Sequence, residues 1–382
     1  MSDQPKIYIA GIGMITAIGA HTAMTAAAVR AGVSGYKACD YLNQKGQPIT
    51  MARVPAEVFT SPEFEIDEGS YPSRLIIMAI IALREALASQ SIQQPIPLIL
   101  ALPEKGVGTI EPETLISNLL KQKDLPLRAD RVQCIAGGRA AGIQGLGWAI
   151  QHLEQGADFV LLGGSDSYGN ALRIQELDKA GRLLAPGSKD GFVPGEAAGF
   201  LLLTRHPQKA LTQGGYIRGR HGHDRYIQDK YARDGHPQNE HIIGLSAPGS
   251  SQEPGHLTSH ESYRGDGLDR AFKQTLNAYT GEGIRTIYSS MNGEHHWAKE
   301  YGVAFIRNQE HFHDPVHIEH PADCFGDLGS ATGPIFIGLA AVDLFQLNQP
   351  GPATHLVYSS SDGPARAAVR VEKLARNAHT GA

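Results

Sequence analysis

The residues best placed to do chemistry lie in the stretch VQCIAGGRAAGIQGLGWAIQHLEQGADFVLLGGSDSY, Val132 to Tyr168. An extended lead-in with Val132, Cys134 and Ile135 breaks at Gly137-Gly138. Beyond it Ile143, Leu146, Ile150 and Leu153 recur at helical spacing. An apolar run from Phe159 to Leu162 then ends at Gly163-Gly164. This pattern predicts strand, sharp turn, helix, strand. Such an elbow holds one side chain at a helix start, where free N–H groups and the helix dipole favour negative charge and where nucleophiles are often placed. The residue at the elbow is Arg139, whose guanidinium stays protonated and cannot attack. A second stretch, CFGDLGSATGPIFIGLAA from Cys324, echoes the first: a glycine-rich entry into a helix of small residues.

The remaining elements must position these two helix starts. Strands are expected at 6–9, 97–102, 197–204, 285–289, 314–318, 354–359 and 367–372. Helices are expected at 22–30, 73–88, 111–121, 266–279 and 298–308. Residues 35–70 read as irregular, and 207–250, rich in Gly, His, Arg and Asp, as connector and surface loops. The echo of the two elbows predicts a duplicated α/β unit whose helix starts face each other.

The chain has 382 residues, 41% hydrophobic and 19% charged, which is enough for a large core or two half-domains and is unlike a disordered chain. The net charge of −5, with no basic run, argues against nucleic acid or an anionic membrane as the main partner. Cys39, Cys134 and Cys324 make an odd, scattered set that fits a reducing cytoplasm. The start MSDQPK lacks a secretory pattern, and the longest apolar run, 75–83, is too short to span a bilayer. Gly11 and Gly13 have no third glycine to complete a dinucleotide fingerprint, so no cofactor is expected.

IYIAGIGMITAIG, GADFVLLGGSDS and KDGFVPGEAAGFLLL resemble the β-ketoacyl synthases, condensing enzymes of the thiolase fold; GFVPGE is the most specific of these matches. The resemblance runs from the N-terminus to about Thr204; the second half is similar only in layout. It implies a duplicated α-β-α-β-α five-layer fold, with halves at 1–206 and 207–382. The family uses a Cys-His-His triad for thioester formation, decarboxylation and enolate stabilisation. Carried over by position, the cysteine falls on Arg139, the first histidine on Asn292 and the second on Asp327. The lysine position holds Ala322, and the glycine-rich gating loop falls near 361–366 as SDGPAR. Gly138, Glu196, Gly293, Gly326 and Gly329 are the implied pocket residues. AGGRAAGIQGL is most like chain-length-factor subunits, whose corresponding residue is also not cysteine.

The resemblance therefore implies a catalytically degenerate 3-oxoacyl-ACP synthase homologue acting as partner or accessory subunit. It would form a homodimer, or a heterodimer with a ketosynthase-type subunit, through the edge strand at 127–135, and an acyl carrier protein is a further candidate partner. Two alternatives stay open: an active acyltransferase using acyl-ACP or acyl-CoA with non-standard residues, and a module that binds an acyl chain or carrier protein. Cys134 reads as a small buried strand residue, although it could be a nucleophile five residues early. His295-His296 lie in the loop of the lost first histidine. His311, His313, His317 and His320 read as surface residues rather than a metal site. Arg218, Arg220, Arg225, Lys230 and Arg233 read as a solvated loop that could alternatively receive an acidic carrier. A buried Arg139 needs an acceptor; Asp327 is expected, with Glu196 as the second choice.

Overall fold

The computed structural model describes residues 6–59, 70–185, 188, 190–220, 241–277, 279–347 and 351–376. Five strands come from the first part of the chain: β1 (Ile7–Thr16), β4 (Leu98–Leu102), β5 (Val132–Ala136), β6 (Val160–Ser167) and β7 (Glu196–Thr204). A small hairpin, β2 (Tyr36–Leu42) and β3 (Pro48–Ala52), lies apart from them. It corrects the expectation that 35–70 is irregular: no residue of β2 is fully buried, so the segment has little apolar signal.

The second part supplies β8 (His241–Leu245), β9 (Gly249–Gln252), β10 (Ile284–Ser289), β11 (Phe312–Glu319), β12 (Ala353–Ser360) and β13 (Ala365–Ala375). β8 and β9 correct the reading of 207–250 as loops throughout. β8 is short, and its apolar residues stand amid glycine and histidine, which hides it.

The strand order is β5-β4-β6-β7-β1 in the first set and β11-β10-β12-β13-β8 in the second. The directions repeat as well. β4 is parallel to β5 and β6, and β7 is antiparallel to β6 and β1. β10 is parallel to β11 and β12, and β13 is antiparallel to β12 and β8. A short pairing of Ile7 with Leu245 and Tyr8 with Gly244 joins the two sets. One order with one set of directions, used twice, is a duplicated unit.

Two helices lie between the sets: α4 (Ala141–Glu154), and α9 (Thr332–Gln346). α9 is buried along almost its whole length, because its residues are small or apolar all round. The helices cross closely: a Cβ on Gly142 would lie 2.3 Å from Cδ of Pro334. Outside them, α2 (Tyr71–Leu87) covers the first set, and α7 (Asp266–Leu276) with α8 (His295–Arg307) covers the second. The shorter helices are α1 (Thr22–Arg30), α3 (Pro112–Leu120), α5 (Ala171–Lys179) and α6 (Gln213–Arg220). The result is the α-β-α-β-α layering expected. No helix among the described residues is long and apolar enough to cross a membrane.

Candidate functional site

Both elbows are built alike. Gly138 (φ +60°) and Gly329 (φ +54°) take left-handed backbone and each opens one 3-10 turn, Gly138–Ala140 and Gly329–Ala331, that leads into α4 or α9. The turns pack against each other, so the two helix starts meet at the centre of the molecule.

Arg139 points into this centre and is 3% exposed. Its Nη1 pairs with Asp327, the acceptor expected, but the contact is not bidentate. Nη2 instead donates to Asp362 (2.6 Å), Nε donates to the Ser360 carbonyl (2.7 Å), and the guanidinium lies 4.5 Å from the Trp297 ring centroid. Glu196, the second choice, is elsewhere: buried at the start of β7, it pairs with Arg74 and accepts from the Val54 N–H and the Ser167 hydroxyl.

Asp327 accepts from Asn292 Nδ2 (2.8 Å), the Tyr168 hydroxyl (3.2 Å) and the Gly329 N–H (2.9 Å) as well as from Arg139. Asn292 Nδ2 also reaches Glu294 (3.2 Å). Glu294 takes two bonds from Arg182, at 2.7 and 2.8 Å, and one from the Trp297 indole at 2.9 Å. Arg182 returns to Asp362 at 2.6 Å. A closed ring results: Arg139, Asp327, Asn292, Glu294, Arg182, Asp362. Burial works against the Arg139 charge, but Asp327 and Asp362 outweigh it and hold its pKa well above the ordinary arginine value. Burial likewise opposes the Asp362 charge, yet Arg139 and Arg182 keep that carboxyl well below its usual range.

The GFVPGE segment holds this ring in place. Gly195 N–H donates to the Asp327 carbonyl and Asp327 N–H to the Val193 carbonyl, each at 2.9 Å. Gly326 (φ +73°) lies against Val193, and Gly293 (φ +110°) makes the turn that aims Asn292 and Glu294 the same way. Neither glycine, nor Glu196, lines the cavity described next.

A cavity of about 570 Å³ opens above the elbows. Gly138, Arg139 and Gly329 lie on its floor, and Glu104, Asp166 and Asp362 on its walls. It sits at the C-terminal ends of parallel strands, where open α/β sheets commonly bind ligands. The ring caps its floor without filling it.

No cysteine lines this cavity. Cys134 is half-buried on β5, and burial raises its thiol pKa, which disfavours thiolate. His295 is exposed and lies near Asp190. His296 packs on Tyr263 and Trp297, and burial lowers its pKa. His311, His313, His317 and His320 lie around β11, and no cluster of metal-binding side chains occurs among the described residues. The basic group from Arg218 to Arg233 lies outside the residues whose side chains are described.

Sequence reasoning missed Asp362, Arg182, Glu294 and Trp297. Asp362 and Glu294 lie in loops the sequence had marked, SDGPAR and MNGEHHW, as the acids nearest the positions carried over. Arg182 carries no local signal.

No family model matches the sequence, and no curated protein sequence matches it. Solved structures do match. The ishigamide ketosynthase/chain length factor matches at TM-score 0.66 and 17% identity, over 96% of this chain and 98% of that one. A ketosynthase in complex with its chain length factor from Xenorhabdus doucetiae matches at TM-score 0.66 and 17% identity, over 96% and 98%. The ketosynthase from module 6 of the bacillaene synthase of Bacillus subtilis matches at TM-score 0.68 and 14% identity, over 96% and 72%. The chain thus has the thiolase-like fold of ketosynthases and chain length factors, as its motifs imply.

Proposed function

We propose that this chain is a catalytically degenerate ketosynthase-fold subunit that acts as partner or accessory to an active ketosynthase. The observation that carries this reading is Arg139. The elbow that would present a nucleophile presents a buried guanidinium, bound to Asp327 and Asp362. A permanently protonated group has no lone pair for attack, and a carboxylate and an amide in place of two histidines cannot perform the same proton chemistry. Arg139, Asn292 and Asp327 are then structural residues at the degenerate positions.

Residues 1–206 and 207–382 are assigned as the two halves, a division supported by the repeated strand order. Among the described residues β5 ends the first set with no strand on its outer edge, and it is only partly buried, which suits pairing with another chain. A homodimer, or a heterodimer with a ketosynthase-type subunit, through this edge is the assembly proposed. An acyl carrier protein is a further partner. In one structural match a type II ketosynthase is held with its acyl carrier protein.

The test is reconstitution. The chain is mixed with an active type II ketosynthase and an acylated carrier, and sedimentation and acyl labelling are followed. Expected are a stable dimer and label on the partner alone. A stable monomer at micromolar concentration with no recovered partner would contradict the assembly. Label on this chain would favour the acyltransferase alternative.

A further inference from the structure

The charges around the cavity are nearly all matched. Arg139 and Arg182 face three carboxylates within the ring, Asp327, Asp362 and Glu294, which leaves it one negative charge in excess; Arg173 pairs with Asp166 at 2.7 Å, Glu176 pairs with Lys179 near the surface, and Lys105, exposed on the cavity rim, has no carboxylate within 4.0 Å among the described residues. The donors of the helix starts are also spent internally. Asp166 accepts from Ser330 N–H, and the Ser361 hydroxyl accepts from Ala140 N–H, each at 2.9 Å. An anionic ligand would find these donors taken.

Glu104 is different. Its Oε1 accepts from Gly363 N–H at 2.8 Å, and no cationic side chain among the described residues lies within 4.0 Å of it. Two glycines make room for the carboxylate. A Cβ on Gly138 would lie 3.3 Å from Oε2, and one on Gly363 would lie 2.4 Å from Oε1. Val107 and Leu177 line the same cavity and offer apolar surface.

We propose that the cavity is a binding site for a small organic cation, a primary amine or guanidine, whose charged end docks on Glu104 and whose stem lies along Val107 and Leu177. The size suits such a ligand, since small-molecule pockets run from about 300 to 1,000 Å³. Burial, reinforced by the charge of Asp362, raises the Glu104 pKa and outweighs the Gly363 N–H and the more distant charges of Arg139 and Arg366, which pull it down. A bound cation reverses that shift. The site does not depend on the chain having a ketosynthase partner.

The experiment is calorimetric titration of the full chain with n-butylamine and agmatine, and with butyrate and n-butanol as matched controls. Saturable one-to-one binding of the two cations is expected, with no binding of the controls. Glu104→Gln should weaken the cations about ten-fold or more, the scale of one charge-assisted hydrogen bond. Glu176→Gln, which removes the same charge at the rim, should change affinity less than about two-fold. Should Glu104→Gln not fold, the carboxyl resonance of Glu104 in the wild-type chain gives the answer, and its titration midpoint must fall when butylamine is added. Butyrate binding as well as butylamine, unchanged affinity in a folded Glu104→Gln, an unmoved Glu104 resonance, or no saturable binding up to about 10 mM would each overturn the proposal.

Discussion

The two elbows share a backbone and differ in what they hold. Each begins with a left-handed glycine, makes one 3-10 turn and opens a buried helix. The first elbow carries a cation, Arg139, and draws its counter-ions Asp327 and Asp362 from the second part of the chain. The second carries Ser330 and draws one acid, Asp166, from the first part, which takes the Ser330 N–H. Each elbow is thus completed by a carboxylate from the opposite part. The difference lies in cost: at the second elbow the acid meets a backbone dipole, whereas at the first a full charge has been taken out of water and must be matched by others.

The largest expected effect comes from removing the hub. Asp327→Ala leaves Arg139, Asn292, Tyr168 and the Gly329 N–H without their shared acceptor, and should cost about 3–5 kcal/mol in chemical denaturation. Arg139→Met should cost less, because Asp362 keeps Arg182 and Asp327 keeps three neutral donors. In a double-mutant cycle with Asp327→Asn, the two sites should couple by about 1–3 kcal/mol. Additive losses would mean that the ring is not a unit.

The next effect separates the elbows by their glycines. A Cβ at Gly329 would stand 2.0 Å from Asp166 Oδ2, whereas at Gly138 it would meet Glu104 at 3.1 Å. Left-handed backbone alone costs a non-glycine residue about 1–2 kcal/mol. Gly138→Ala should show about that loss. Gly329→Ala should exceed it, because Asp166 must also move off Ser330 and Arg173. Equal thermal shifts for the two variants would contradict the asymmetry.

How far the site could be read from sequence differs between its parts. The first elbow was legible because a glycine pair, a helical apolar period and a small-residue helix follow one another in 132–153. The acid needed by Arg139 was legible too, since desolvation demands one and Asp327 stood at the carried-over position. The closing of the ring was not. Arg182 and Asp362 are 180 residues apart, and their meeting depends on how the β12–β13 turn lies over α5. The hairpin of β2 and β3 was missed because β2 buries no residue fully and β3 is only five residues long, so their sequence carries weak alternation.

A further effect, on pH dependence, lies outside both elbows. Glu85 on α2 accepts backbone N–H groups from Met14 and Thr22, yet burial dominates and raises its pKa from 4.5 to about 7. A carboxyl with a raised folded-state pKa stabilises the protein fully below its unfolded pKa, and that contribution is lost as pH rises through the folded value. Urea midpoints should therefore fall as pH rises from about 4.5 to about 7, with a smaller share from Glu104, whose pKa is also raised. Glu85→Gln should flatten most of that slope, and Arg139→Met should leave the Glu85 share unchanged, because Arg139 does not act on Glu85. A slope that follows Arg139 instead would place the titrating group in the ring.

The central claim is that an ion ring has replaced nucleophilic chemistry at the first elbow. Intact-mass spectrometry after incubation with an acylated carrier protein tests it most directly, on the wild-type chain and on Arg139→Cys. The account predicts no acyl adduct on the wild-type chain. It also predicts no turnover by Arg139→Cys, because Asn292 and Asp327 cannot supply the missing proton chemistry. A stoichiometric thioester on wild-type Cys39, Cys134 or Cys324, discharged when an extender substrate is added, would contradict it.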